Sequence, residues 1–396
     1  MRSLLYSPVV RKLLLIASIL LIAFLILFFG FVPGIVGTAM NGVRVKPPYR
    51  ASQRATTLAE RTFNVDLHAD SLLWGRDLSV RSDHGHVDVP RLIEGRVALQ
   101  AFTIFTKSPH GLNFSRNSAD AFDDVSALMF VQLAPVSTWT NLTARALYAA
   151  RRFDRTVEAS RGKLVPIRSR ADLEAYLKRR QSEPGITAGF LGVEGAHALM
   201  GDLRNIDVLY DAGVRMMAPT HFFDNDIGGS SAGERQGGLT EKGREMIRRM
   251  ERKHMLVDVA HASEATVEDV LAVATRPVIV SHTGVKGTCD NARNLSDRQL
   301  RAIAATGGVV GIAYFDFAVC GTDAAAIARA VRHAADVAGV DHVALGSDFD
   351  GATRTPFDST GLPVLFDALL AAGLSEEQIA QIAGGNALRV LRAELP

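Results

Sequence analysis

The sequence predicts an α/β fold, a (β/α)8 TIM-type barrel, behind an N-terminal transmembrane helix. Three observations lead there. From residue 61 onward, short apolar runs alternate with amphipathic stretches. Eight runs occur, and continuously apolar strands separated by helices imply a parallel sheet covered on both faces. Histidines or carboxylates follow six of the runs directly. In this fold the carboxyl ends of the strands carry the chemistry.

The chain has 396 residues, 47% hydrophobic and 22% charged, ample for one large core. The formal charge is +2 and the arginines are scattered. Without a basic stripe and interleaved aromatics, nucleic acid is not an expected partner. Cys289 and Cys320 are the only cysteines. They form no disulfide framework and lack metal-finger spacing. A single bridge outside the cytoplasm and two free thiols both remain open.

Residues 1–12 carry Arg2, Arg11 and Lys12 and are expected to stay in the cytoplasm. Leu13 to Phe29 is uninterrupted apolar sequence, extended by Gly30, Phe31 and Val32. The transmembrane anchor is assigned to 13–33. Cleaved signal peptides have shorter apolar cores, so an uncleaved anchor is favoured. The small residues ending at Ala39 keep cleavage open. Arg44, Lys46, Arg50 and Arg54 blur the charge asymmetry, and the catalytic domain is expected outside the cytoplasmic membrane. Residues 34–60, with Gly, Pro and polar residues, read as a linker, and 61–396 as the barrel domain.

The strands are expected at 63–68, 97–105, 187–193, 214–219, 255–260, 277–281, 308–314 and 342–348. Amphipathic stretches such as LTEKGREMIRRMERKH and LSDRQLRAIAAT separate them. Thr106 to Arg170 is longer than one crossover requires. It reads as a helical insertion after the second strand, packed outside the barrel or over its mouth.

The stretch from Met255 carries two strand–histidine units, MLVDVA before His261 and PVIVS before His282, with a helical segment between them. One such histidine suits a hydrogen-bonded core residue; two at the same place in successive strands suit a metal pair. The first strand ends His68-Ala69-Asp70. Residues i and i+2 of a strand point the same way, and His and Asp are ordinary zinc ligands. Glu194 ends the third run, where a buried carboxylate must be paired, neutralised or metal-bound. Its two oxygens could bridge two metals. His221 follows the fourth strand and Asp348 the eighth. His84 and His86 lie in a polar loop and are expected to be solvated. His110, His254 and His333 sit in loops or on helix surfaces, and His342 begins a strand at its amino-terminal end, away from the chemistry. His197 is near Glu194, and a structural hydrogen bond is expected for it. The Gly228–Gly233 stretch reads as a flexible loop at the mouth. No nucleophile elbow, P-loop or HExxH motif is present.

Several motifs occur in one order: DLHAD (66–70), HVDVPRLIEGRVALQAF (86–102), GVEGAH (192–197), DVAHAS (258–263), PVIVSHTG (277–284), ARNLSD (292–297), VALGSDFDG (343–351) and GGNALRVL (384–391). With these, residues 63–392 resemble the membrane dipeptidase (renal dipeptidase) family of zinc metallopeptidases. The resemblance implies two zinc ions per chain. His68 and Asp70 would bind one, His261 and His282 the other, and Glu194 would bridge them. It implies that His221 faces the scissile carbonyl, Arg293 the substrate carboxylate, and Asp348 handles the proton. It further implies a dipeptide substrate, a water shared by the metals as nucleophile, and a homodimer. The stretch after His221, FFDNDIGGSSAG, departs from the mammalian pattern, which leaves side-chain preference open. Mammalian members are lipid-anchored at the C-terminus, whereas Pro396 follows no apolar tail here, so the N-terminal helix would be a different means of attachment.

Two other readings compete. An amidohydrolase-type barrel acting on another amide or ester shares the HxD start and the late Asp. Many such enzymes bridge their metals with a carboxylated lysine, and Glu194 favours the dipeptidase. An inactive membrane-tethered binding protein would have no reason to keep both ligand sets.

Overall fold

The computed structural model describes residues 8–396. Residues 1–7 of the expected cytoplasmic segment lie outside the described residues. Eight parallel strands form the barrel: β1 (Asn64–Ala69), β2 (Val97–Phe105), β3 (Thr187–Glu194), β4 (Val214–Met217), β5 (Leu256–Asp258), β6 (Val278–Thr283), β7 (Val309–Ile312) and β8 (Val343–Leu345). Each pairs with the next in sequence order. The ring nearly closes between β8 and β1, where Ala69 bridges Phe349 and Asp70 N–H donates to Phe349 O at 2.8 Å. A ninth strand, Leu164–Pro166, pairs with the start of β3. It is too short and too isolated from other apolar runs to be read from sequence.

The strands are buried along their length because both faces meet apolar partners. Every strand contributes to one cluster, through Leu67, Ala101, Phe190, Met216, Leu256, Ile279, Val309 and Ala344. A cluster shared by all eight strands is the barrel interior. The C-terminal helix, Asn386–Glu394, adds Ala387, Val390 and Leu391 to it. A larger cluster lies between the strands and the surrounding helices.

The insertion after β2 contains two helices, Asp124–Val131 and Leu142–Ala159, started by the side chains of Asp123 and Asn141. Val125 and Leu128 of the first reach the barrel mouth, while Phe153 of the second packs on Phe102 of β2.

The N-terminal helix runs from Pro8 to Met40, seven residues past the expected end of the span at 33. Residues 34–60 largely pack on the barrel. Gly42–Val43 pairs in parallel with Arg354–Thr355. Gln53–Arg61 is a helix capped by Ser52 that buries Ala55, Leu58 and Ala59. Those three residues share one helical face, which is why this stretch docks on the barrel.

Candidate active site

The site lies at the carboxyl ends of the strands. β1 delivers His68, with Asp70 just beyond; His68 Nε2 is 3.5 Å from Asp70 Oδ2 and 3.6 Å from Glu194 Oε1. β3 delivers Glu194. His261 follows β5 and His282 lies in β6; their Nε2 atoms are 2.9 and 3.5 Å from the same Glu194 oxygen. His221 Nε2 is 3.3 Å from the other oxygen, Oε2. Glu194 thus stands between two sets of donors: His68 with Asp70, and His261 with His282. His68, Asp70 and Glu194 form one compact triad, and Glu194, His261 and His282 another.

Backbone geometry at several positions is demanding. His261 and Asp348 have φ of 62° and 61°, a left-handed conformation uncommon for non-glycine residues and often found at functional sites. The His261 carbonyl accepts from Ser231 N–H at 2.8 Å, and the Asp348 carbonyl from Thr353 Oγ1 at 2.7 Å. Gly195 follows Glu194 at φ 93°, and a Cβ there would lie 2.4 Å from the His197 ring. Gly351 must also be bare, since its Cβ would lie 2.0 Å from Asp348 Oδ1.

The residues fit a pair of metal ions. Among the described residues, His68 Nε2 and Asp70 Oδ1 are buried and have no hydrogen-bond partner. Unpaired buried polar atoms are costly, and here they converge on common points. The donors are imidazole and carboxylate, which suits zinc. Burial pushes the Glu194 carboxyl well up and the His261, His282 and His221 imidazoles well down. Burial would also lower His68, but Glu194 and Asp70 beside it raise it to about 10. Asp348 is pushed up to about 8, by burial first, against the pull of His68 and with Asp70 adding repulsion. A divalent cation reverses this logic, because it favours the deprotonated form of every group around it.

Arg293 is buried beside the second triad. Its Nη2 lies 2.7 Å from His282 Nε2 and donates to the His282 carbonyl at 2.9 Å. Its Nε is buried and has no hydrogen-bond partner among the described residues. The loop carrying it, between β6 and the helix Asp297–Ala305, is closed by a Ser296/Gln299 capping box and by a disulfide, Cys289–Cys320. The sequence had left that pairing open.

A cavity of about 430 Å³ leads to the site and is lined by Asp70, Glu194, His221, His261 and Asp348. A separate cavity of about 640 Å³, beside Arg76 and Arg152, is not lined by any of these residues.

Some residues behind the ligands were not legible in the sequence. Ser281 Oγ lies 2.9 Å from His68 Nδ1 and 3.1 Å from His282 Nδ1. One hydroxyl therefore orients an imidazole from each triad. Asp66 accepts from Ser347 N–H at 2.7 Å and Ser347 Oγ at 2.6 Å, tying β1 to β8. His86 is fully buried rather than solvated. Its Nδ1 accepts from Asp350 N–H at 3.0 Å, and its Nε2 faces Gly42 O at 3.1 Å. The signal for it was its place at the head of the HVDV run. His197 is buried, but neither ring nitrogen has a hydrogen-bond partner among the described residues, contrary to expectation. Burial and Lys107 lower its pKa to about 3. The Gly228–Gly233 stretch is buried and pinned, not flexible: Asp224 accepts from Ser230 N–H at 2.9 Å, and Ser230 Oγ donates to His221 O. This loop joins His221 to His261. The other histidines stay clear of the site: His110 pairs with Asp124, His333 with Asp297, and His342 with Gly308 O.

Known proteins resemble this chain over most of its length. A dipeptidase of Aspergillus oryzae, aclJ, is 30% identical over 348 residues, covering 83% of this chain and 77% of that protein. The crystal structure of a metallopeptidase from Rhodobacter sphaeroides, bound to a phosphinate mimic of the dipeptide L-Ala-D-Ala, superposes with a TM-score of 0.69 at 26% identity. It covers 84% of this chain and 99% of that one. The probable dipeptidase PvdM of Pseudomonas aeruginosa shares the fold, with a TM-score of 0.70 at 20% identity over 86% of this chain and 97% of that one. The family profile described as membrane dipeptidase (peptidase family M19) matches residues 52–395, and the chain belongs to that family.

Proposed function

We propose that the protein is a two-zinc dipeptidase that hydrolyses the single amide bond of a dipeptide. The observation that carries this reading is the shared carboxylate, with Glu194 Oε1 2.9 Å from His261 Nε2 and 3.6 Å from His68 Nε2. His68 and Asp70 would hold one ion, His261 and His282 the other, and Glu194 both. Such a pair supplies a water acidic enough to attack a carbonyl at neutral pH.

The other steps belong to the chain's own residues. Asp348, beside His68 and Asp70, takes the proton from the attacking water and returns it to the leaving amine. Burial above all raises its carboxyl, and the bound ions would favour its deprotonated form, the form that accepts a proton. His221 is held neutral by burial and lines the cavity. Its N–H stabilises charge developing on the carbonyl oxygen. Arg293 holds the free carboxylate of the substrate through charge-assisted bonds, which selects substrates ending one residue past the scissile bond. Leu73, Trp74 and Phe105 in the cavity wall keep bulk water out and strengthen these interactions.

The L-Ala-D-Ala mimic in the Rhodobacter sphaeroides structure supports a dipeptide and makes a D-residue at the second position worth testing. The apolar helix Pro8–Met40 is long enough to span a bilayer and would anchor the enzyme. The Cys289–Cys320 bridge favours an oxidising compartment, so the barrel would lie outside the cytoplasm.

Metal analysis with a dipeptide panel tests the reading. Wild-type protein is expected to bind about two zinc ions per chain and to lose hydrolysis on chelation. Glu194→Ala should lose metal and activity together, and an active, metal-free Glu194→Ala enzyme would sink the scheme. Arg293→Lys should raise KM about tenfold with little change in kcat, because an ammonium cannot replace a bidentate fork. A pure kcat effect would place Arg293 in metal positioning instead.

A further inference from the structure

The cavity that leads to the metal ligands has a wall that comes from outside the barrel. Val36 and Met40, in the last two turns of the N-terminal helix, line it together with Asp70, Glu194 and Asp348. The helix end is clamped in place. Gly37 packs on Trp74, where a Cβ would come within 3.6 Å of the indole. Asn41 donates to Gly37 O at 2.9 Å and accepts from Ala352 N–H at 3.0 Å. Gly42 N–H donates to Thr353 O at 3.2 Å, and Gly42–Val43 pairs with Arg354–Thr355. Ala352, Thr353, Arg354 and Thr355 all lie on the segment that begins with Asp348.

The same helix exposes apolar side chains from Leu13 through Phe31. At 1.5 Å per residue these cover about 30 Å, the thickness of a hydrocarbon layer. The helix thus has two parts, an exposed apolar rod and a final stretch docked on the enzyme at Val36 and Gly37, while Ile35 and Met40 remain partly open to solvent. A leader cut after Ala39 would remove Val36 and Gly37 and open one side of the cavity.

We propose that the N-terminal helix is a permanent part of the substrate site, with Val36 and Met40 as specificity-determining residues for an apolar side chain of the dipeptide. The inference rests on the dipeptidase reading and narrows its substrate class. The wall around these residues includes Leu73, Trp74, Phe105 and Leu128, and away from the metal ligands its polar side chains are those of Ser108 and Asp124. Asp124 is already paired with His110 at 2.9 Å. A surface of this kind favours aliphatic and aromatic side chains and disfavours anionic ones. The pocket opens beside the point where the apolar rod ends.

The test uses the full-length, metal-loaded protein in detergent. Val36→Ala, Met40→Ala and Met40→Glu are compared with wild type on Ala-Ala, Leu-Ala, Ala-Leu, Phe-Ala and Ala-Phe, and the intact mass of the membrane-purified chain is recorded. The alanine variants should lower kcat/KM for at least one Leu- or Phe-containing pair about tenfold, through KM. Ala-Ala, with the smallest side chains of the panel, is the reference against which that loss is read, and an unchanged zinc content shows that the metal site is intact. Met40→Glu should move the preference further in the same direction. The mass should include Val36 and Met40. Unchanged selectivity in all three variants with normal Ala-Ala turnover overturns the wall and leaves the dipeptidase reading standing. A mature chain that begins after Ala39 overturns it as well. No hydrolysis of any dipeptide by the wild-type protein sinks both readings.

Discussion

Ser281 shows what the ligands require behind them. A histidine that binds metal through Nε2 carries its proton on Nδ1, and that N–H needs an acceptor to fix ring and tautomer. Ser281 Oγ stands within hydrogen-bond distance of Nδ1 of both His68 and His282. Ser281→Ala should therefore weaken both metal sites, by about 10- to 100-fold in affinity. Competition with a chromophoric zinc chelator measures this, and an unchanged affinity would show that the rings are held by packing alone. The proposed ligands could be picked out from the sequence because each ends or follows an apolar run. Ser281 was not, since its partner His68 is 213 residues away and a serine before a histidine has no distinguishing pattern.

Among the elements, the loop after β8 does the most positioning. Asp350 accepts from Ser71 Oγ at 2.5 Å and from His86 N–H at 2.7 Å, and it pairs with the Arg76 guanidinium. Burial alone would raise its pKa, but Arg76, His86 and Ser71 hold it well below the usual carboxylate range. A depressed carboxyl stabilises the fold above its unfolded value, about 3.9. That contribution is lost only as pH falls toward the folded value. Asp350→Asn leaves the Arg76 charge buried without its counter-ion and should cost about 3–5 kcal/mol at pH 7. Urea unfolding at pH 7 reads this directly; a loss below 1 kcal/mol would mean that water screens the pair. Asp348 sits two residues away at positive φ, so the variant should also lower kcat. The sequence motif GSDFDG pointed to Asp348 by its place at the strand end. It could not assign Asp350, because Arg76 and His86 reach it only after the ring closes between β8 and β1.

For the whole molecule, metal uptake and protonation are linked. In the metal-free site, Glu194 is pushed well up, His68 is raised to about 10 and Asp348 to about 8. His68 and Asp348 therefore hold protons at pH 7. Zinc requires the deprotonated ligands, so loading must release protons, and the apparent affinity must rise from pH 6 to pH 8. Calorimetric titration with zinc in buffers of different ionisation enthalpy counts the protons released. A pH-independent affinity with no proton release would mean that the metal-free site is already deprotonated.

The sequence by itself determined the barrel, its eight strands and the set of residues at their carboxyl ends. These follow from local rules: apolar runs make buried parallel strands, and the fold places whatever follows each strand at one mouth. It also determined that an apolar rod precedes the barrel. Tertiary structure decided how the parts meet. It set Glu194 between the two triads, placed Ser281 under both imidazoles, paired Cys289 with Cys320 and buried His86 against Asp350. It also carried the helix on to Met40 and brought its last turns to the wall of the cavity that leads to Glu194, where the sequence had suggested a linker. The physical reason is the same in each case: these contacts join residues far apart in the chain, and their hydrogen bonds and packing exist only once the barrel has brought its ends together.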